Sequence, residues 1–219
     1  MLPRLQELDR RLLRTTRTRA HGPQTEAAGK ALGMAGEWGA VWLVIGLAAA
    51  AVDAPRRDRW LRAAVVAPAA IGINYAVKLA VRRPRPRLRR LPPLAGAPSD
   101  LSFPSAHATS SVAAATAMGR VAPGFRLPLY SLAAAICLTR PYLGMHYPSD
   151  VLGGAALGLT VGRFWPGLGG KGAEDRLIDL AASAAAKPAA SSAPADGRPR
   201  APASQPSRGS TSEGDPGRP

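Results

Sequence analysis

The 219-residue sequence predicts an all-α integral membrane bundle of about five transmembrane helices. Three observations predict it. Residues 38–52 and 63–81 are nearly continuous apolar runs, and three further apolar segments follow at about Ala108–Val121, Leu127–Thr139 and Val151–Trp165. These segments are rich in Gly, Ala, Ser and Thr, which allow helices to pack closely inside a bilayer. Many of the arginines sit in the short connections between apolar runs, where lipid phosphates would meet them. The mean hydropathy of -0.05 conceals the pattern, because residues 183–219 are Ala/Pro/Ser/Gly/Arg sequence with almost nothing to bury.

Leu2, Leu5, Leu8, Leu12 and Leu13 recur at roughly helical spacing among Arg4, Arg10, Arg11 and Arg14. That is a basic amphipathic helix suited to an anionic membrane surface. It lacks the uninterrupted apolar region and small-residue cleavage site of a signal peptide, so it is expected to be retained. His21-Gly22-Pro23 breaks it, and residues 1–34 read as this helix plus a linker. Residues 35–170 read as the membrane-embedded domain. A span needs about 20 apolar residues, with about 17 as a lower bound. The 63–81 run alone meets that; the other segments need flanking residues or tilt. Trp38, Trp42, Trp60, Tyr142, Tyr147 and Trp165 lie near segment ends, where interfacial anchors belong.

Asp53–Arg62 joins the first two segments with Pro55 as a breaker, and Pro123-Gly124 turns the third into the fourth. The long Arg82–Phe103 connection holds six arginines and five prolines and is expected to be an ordered or semi-rigid flap. A short amphipathic helix is expected within 171–186, through Leu177, Ile178 and Leu180. From residue 187 to 219 the composition predicts disorder.

The formal net charge of +15 admits nucleic acid, an anionic membrane or an anionic substrate as partner. Nucleic-acid binding needs a recognisable fold and stacking aromatics, and only 5% of residues are aromatic, so no nucleic-acid partner is expected. The bilayer and a lipid phosphate remain. Cys137 is the single cysteine, so there is no intrachain disulfide, and a packed thiol is expected.

Three distant stretches carry chemistry. They are Lys78-x6-Arg85-Pro86, then Pro104-Ser105-Ala106-His107, then Arg140-x5-His146-x3-Asp150. Two of the three histidines fall in them, and Asp150 is the only acid between Asp100 and Glu174. A histidine nucleophile oriented by a carboxylate, a second histidine as acid and base, and a ring of cations suffice for phosphate transfer. Ser105 precedes an apolar helical run, where it can cap the helix and leave backbone N–H groups facing an anion. Pro148 suits the first turn of the next helix, bringing Asp150 near the far ring nitrogen of His146. The two segments between His107 and Arg140 form a hairpin that returns the chain to the same membrane face.

The three stretches in this order resemble the type 2 phosphatidic acid phosphatase superfamily, whose site is related to that of vanadium haloperoxidases. The likeness covers about residues 35–166 and extends to small actinobacterial members. It implies that His146 is the nucleophile, His107 the acid and base and Asp150 the orienting carboxylate. Lys78, Arg85, Ser105, Ala106 and Arg140 then bind phosphate, and no metal or other cofactor is implied. Ala106 stands where the family usually has glycine, and Thr139 where it usually has serine. Alanine keeps the backbone amide and can substitute unless φ must be positive. Arg82, Arg87, Arg89 and Arg90 read as membrane-surface charges; Arg83 could aid phosphate binding but is not counted among the site residues.

The expected function is hydrolysis of a lipid phosphomonoester or pyrophosphate. Candidates are phosphatidic acid, phosphatidylglycerol phosphate, polyprenyl pyrophosphate and polyprenyl-phosphate sugars such as decaprenylphosphoryl-5-phosphoribose. The alternatives are a vanadate-dependent haloperoxidase-like enzyme and a non-catalytic protein binding anionic lipid. A bacterial cell membrane is the expected location. The arginine count points to a cytoplasmic site, whereas larger members of the family place theirs outward.

Overall fold

A computed structural model describes residues 3–19 and 21–168 of the chain. The expected helix in 171–186 and the disorder at 187–219 lie outside the described residues. Within them there are eight α-helices and no named strand. α1 is Pro3–Thr18, α2 Pro23–Ala35, α3 Ala40–Val52 and α4 Arg57–Ala64. α5 is Val66–Val81, α6 Ala106–Val121, α7 Arg126–Tyr142 and α8 Pro148–Phe164.

α6 is the central element. It packs against α5, α7 and α8, and 12 of its 16 residues are buried. A helix buried on nearly all sides needs small side chains, and α6 supplies them through Ala113, Ala114, Ala115 and Ala117. α8 meets it along Gly154, Gly158 and Gly162, spaced one turn apart. A Cβ at Gly154 would lie 2.5 Å from the Ser105 carbonyl oxygen, and Cβ atoms at Gly158 and Gly162 would strike the Thr109 and Ala113 carbonyls. Backbone therefore lies on backbone along this seam, as small-xxx-small packing permits. Cys137 is buried in α7.

Several expectations need correction. Residues 23–35 are helix α2, not a linker; Gly29 and Gly33 let it lie on Tyr142, Arg140 and Leu143 near the end of α7. The expected 53–62 connection is largely helical, so that Ala54–Val81 forms one 28-residue helical run with a break at Val65. Trp42 and Trp60 are not exposed anchors. Trp42 is fully buried with its Nε1 donating to Ser111 Oγ at 3.0 Å, and Trp60 Nε1 donates to Asp53 Oδ2 at 2.8 Å. A buried indole needs such an acceptor.

By length and composition, Ala54–Val81 is the one continuous helix among the described residues that could cross a membrane. The pair Pro23–Ala35 and Glu37–Val52, bent by 49°, passes the same test as a unit. α6, α7 and α8 are 16, 17 and 17 residues long. Large apolar side chains face outward on several helices, among them Val44 and Leu47 on α3, Ile73 and Leu79 on α5, and Leu152 and Leu159 on α8.

α1 does not simply lie free on a surface. Leu5, Leu8 and Leu12 are exposed, but Asp9, Leu13 and Arg17 are buried against α7 and α8. Arg17 donates to the Pro92 carbonyl at 2.7 Å and the Tyr142 carbonyl at 3.2 Å, tying α1 to the flap and to α7.

Candidate active site

One end of the bundle gathers all three motif stretches. On α5, Asn74 and Lys78 are one turn apart on the same face. Asn74 Nδ2 donates to the Pro104 carbonyl at 3.2 Å and to Thr109 Oγ1 at 2.9 Å. Lys78 Nζ donates to the carbonyls of Pro104 at 3.1 Å and Leu101 at 3.0 Å. α5 thus grips the Pro104–His107 turn by its backbone. Two of the three ammonium hydrogens are used, which leaves one for a ligand.

The flap is ordered, as its arginines and prolines suggested. Pro84 and Leu101 form a β-bridge, Arg85 N–H donates to Asp100 O at 3.0 Å, and Leu94 N–H donates to Leu143 O at 2.9 Å. Arg85 is fixed from three sides: its Nε donates to Ser99 O at 2.7 Å, and Nη1 to Met145 O at 2.8 Å and to His146 Nε2 at 3.1 Å.

That last contact settles the His146 tautomer. A guanidinium only donates, so Nε2 must carry the lone pair and Nδ1 the proton. Nδ1 points toward Asp150, with Oδ2 3.7 Å away. The expected hydrogen bond is therefore not closed. Asp150 is the third residue of α8, and Oδ2 already accepts the Tyr147 backbone N–H at 2.8 Å, while Oδ1 accepts Arg83 Nη1 at 2.7 Å. Helix capping and Arg83 hold the carboxylate slightly back from the ring.

His107 is in the first turn of α6, and its Nε2–H donates to the Gly33 carbonyl of α2 at 3.0 Å. Arg140, in the last turn of α7, faces the same space, so the hairpin does return the chain to one end. Lys78, Arg85, Ala106, His107, Arg140 and His146 all line a single cavity of about 690 Å³. Apolar side chains line it as well: Met34 and Trp38 near the α2–α3 bend, where Lys30 and Glu37 also lie, Ile71 and Tyr75 on α5, and Leu94 on the flap.

Two expected site residues do not line the cavity. Asp150 stands behind His146, fully buried. Ser105 occupies the N-cap position of α6 but its hydroxyl makes no capping bond; it is buried without a partner, while its N–H donates to Asp150 O at 3.0 Å. Thr139 uses its hydroxyl on the Ile136 carbonyl at 2.7 Å. Ala106 begins α6 without a positive φ, so alanine fits where glycine is usual. Arg140 Nε and His146 Nδ1 are also buried without hydrogen-bond partners. Each buried group left without a partner costs about 1–3 kcal/mol, so these three are candidates for contacts to a ligand. Sequence reasoning missed Arg83, Asn74 and the α2 wall. Gly29 and Gly33, one helical turn apart, were the available signal for that wall. Among the described residues, no group of three His, Cys, Asp or Glu side chains could hold a metal ion.

Burial pulls the His146 imidazole down to about 4; Arg85 and Arg140 add to this, while Asp150 opposes it. Burial also lowers Arg85. His146 is therefore a neutral imidazole at any pH well above 4. The acid limb of kcat/KM, which reports the free enzyme, is expected near pH 4 rather than near the ordinary histidine value. A pH–rate series checks this, with the substrate's own ionisation measured separately by phosphorus NMR. A limb at the ordinary histidine value, distinct from the substrate's, contradicts a buried neutral nucleophile.

A family model, that of the PAP2 superfamily, matches residues 59–171. Decaprenylphosphoryl-5-phosphoribose phosphatase of Mycobacterium tuberculosis (strain CDC 1551 / Oshkosh) is 44% identical over 148 residues, covering 68% of this chain and 82% of that protein. This chain belongs to the PAP2 superfamily. It is a phosphatase, as its named PAP2 relatives are. The enzyme of the same name from Mycolicibacterium smegmatis is 36% identical over 136 residues, covering 60% of this chain and 72% of that one. The PAP2 fold is shared with a transmembrane phosphatidylglycerolphosphate phosphatase from Bacillus subtilis. Its TM-score is 0.62 at 22% identity, over 76% of this chain and 86% of that chain.

Proposed function

We propose that this PAP2 phosphatase removes the terminal phosphate of a polyprenyl-phosphate sugar, with decaprenylphosphoryl-5-phosphoribose the leading candidate. The observation that carries the reading is the cavity itself: His107, His146 and four cations, Lys30, Lys78, Arg85 and Arg140, line it together with a set of apolar side chains. Cations suit the phosphate, the apolar side chains suit an isoprenoid, and about 690 Å³ accommodates a phosphorylated sugar between them. The identity to the mycobacterial enzymes supports decaprenylphosphoryl-5-phosphoribose over the other lipid phosphates.

In the proposed reaction His146 Nε2 attacks phosphorus in line, and the bond from phosphorus to the sugar oxygen breaks. The bound phosphate anion favours the doubly protonated form of His107, which gives one proton to the departing alkoxide. His107 then takes a proton from water, whose oxygen attacks the phosphohistidine and releases phosphate and neutral His146. Lys78, Arg85 and Arg140 offset charge on the non-bridging oxygens throughout. Asp150 stabilises the positive charge that develops on the His146 ring.

The chain spans the membrane five times in this reading, through α3, the α4–α5 run, α6, α7 and α8. The outward apolar side chains and the fold shared with a transmembrane phosphatase support it. The α1 and flap arginines at the site end support a cytoplasmic orientation for it. Topology reporters fused after Gly96 and Gly170 are expected to read cytoplasmic and external, respectively; an external signal at Gly96 sinks that orientation. For substrate, the full chain purified in detergent is assayed for phosphate release over the four candidate lipids with EDTA present. Fastest turnover of decaprenylphosphoryl-5-phosphoribose, undiminished by EDTA, is the expected result. Preference for phosphatidic acid would overturn the substrate, and loss with EDTA would overturn the mechanism.

A further inference from the structure

The inward face of α1 carries a carboxylate that none of the motif stretches explains. Asp9 is 3% exposed. Its Oδ1 accepts the Ser149 backbone N–H at 3.0 Å; its Oδ2 accepts the Ser149 hydroxyl and, at 2.8 Å, Arg83 Nη2. The other arm of that guanidinium, Nη1, donates to Ser149 Oγ and to Asp150 Oδ1, both at 2.7 Å. The guanidinium carbon sits 4.2 Å from the centre of the Tyr147 ring. One planar cation is therefore clamped between two buried carboxylates, and the second of these stands behind His146.

We propose that Asp9 is a positioning residue of the phosphatase reaction, acting through Arg83 and Ser149 on Asp150 and so on His146. The inference rests on His146 being the nucleophile. Two physical effects carry it. The first is orientation. Arg83 is a rigid fork, and fixing one arm on Asp9 fixes where the other arm holds Asp150 Oδ1. Ser149, adjoining Asp150 in the chain, is pinned by the same carboxylate through its N–H and its hydroxyl.

The second is charge. Asp9 and Asp150 share the Arg83 guanidinium, so that cation is not spent on Asp150 alone. Attack on phosphorus makes the His146 ring positive, and in a low-dielectric interior the carboxylates behind it offset that charge. Without Asp9, Arg83 would neutralise Asp150 alone, and the ring would become positive beside a neutral pair. The other groups facing His146 are Arg85 on the flap, Arg140 on α7 and His107 on α6. Lys30, Lys78 and Glu37 line the same cavity, and Glu37, the one acid among them, acts on Arg140.

The test compares full-length wild type, Asp9→Asn, Arg83→Gln and the double variant in mixed micelles. The probe is decaprenylphosphoryl-5-phosphoribose, or whichever lipid of the four is turned over fastest. Asp9→Asn is close to isosteric, and Leu13→Ala serves beside it as a variant that weakens α1 docking with every charge kept. For Asp9→Asn, kcat is expected to fall by about 10-fold, the low end of the range for a partner bonded directly to a functional side chain, because Asp9 acts through Arg83 and Asp150. KM should change little, and the acid limb of kcat/KM should move to lower pH. The double variant should be no worse than Arg83→Gln, because the two residues act in series. Unchanged kcat, additive losses in the double variant, or an equal kcat loss in Leu13→Ala would each overturn the proposal. If His146→Ala is inactive while Asp9→Asn is unaffected, only this inference fails; if His146→Ala is active, the reading beneath it fails.

Discussion

His146→Ala is expected to abolish phosphate release, by at least about 10⁴-fold in kcat, the scale seen when a catalytic nucleophile is removed. The bundle should survive the change. His146 lies in the connection before α8, outside any helix, and contributes no large apolar surface. Its Nδ1 is a buried atom without a hydrogen-bond partner, and removing such a group costs little. Arg85 loses its contact with the ring but keeps the Ser99 and Met145 carbonyls. Equal melting temperatures for the two proteins, with labelled phosphate trapped covalently on the wild type alone after rapid quench under alkaline conditions, would make the case. Phosphate release by the variant at the wild-type rate would refute the mechanism.

The second large effect is on His107. His107→Ala should lower kcat about 10²–10⁴-fold for a lipid alkoxide leaving group, the range for a lost general acid. An activated aryl phosphate needs no proton on its departing oxygen, so the first step with that substrate should be far less affected. The second step still needs a base for water. The variant should therefore accumulate phosphohistidine when given the aryl ester, and a burst of aryl alcohol should precede slow phosphate release. Equal losses in the first step with both substrates would remove His107 from the role of acid.

The sequence made the motif constellation legible because spacing within helices is a geometric statement. Asp150 lies on the first turn set by Pro148, four residues after His146, and that placement follows from local chain geometry. The meeting of His107 and Arg140 followed from counting apolar segments. What remained hidden depends on packing between elements. α2 has little apolar periodicity of its own, and its stability comes from glycines that let it lie against α7. Asp9 looked like one acid among arginines on a surface helix; only the docking of α1 shows that it shares Arg83 with Asp150. Asp150 was placed correctly beside His146 but with its oxygens unallocated, and helix capping took one of them. Trp42 was read as an anchor from its position near a segment end, whereas a hydroxyl partner on α6 allows it inside.

The α6–α8 seam has a genetic consequence. Every missense change reachable by a single nucleotide from a glycine codon adds at least a methyl group, and at positions 154, 158 and 162 that carbon would meet a carbonyl oxygen of α6. The loops delivering Ser105 and Asp150 hang from the near end of this seam, joined by the Ser105 N–H to the Asp150 carbonyl. These three sites therefore have no tolerated neighbours one mutational step away. Natural variation in substrate preference has to arise elsewhere, on the cavity wall formed by α2, the flap and α5, where side chains rather than backbone do the packing.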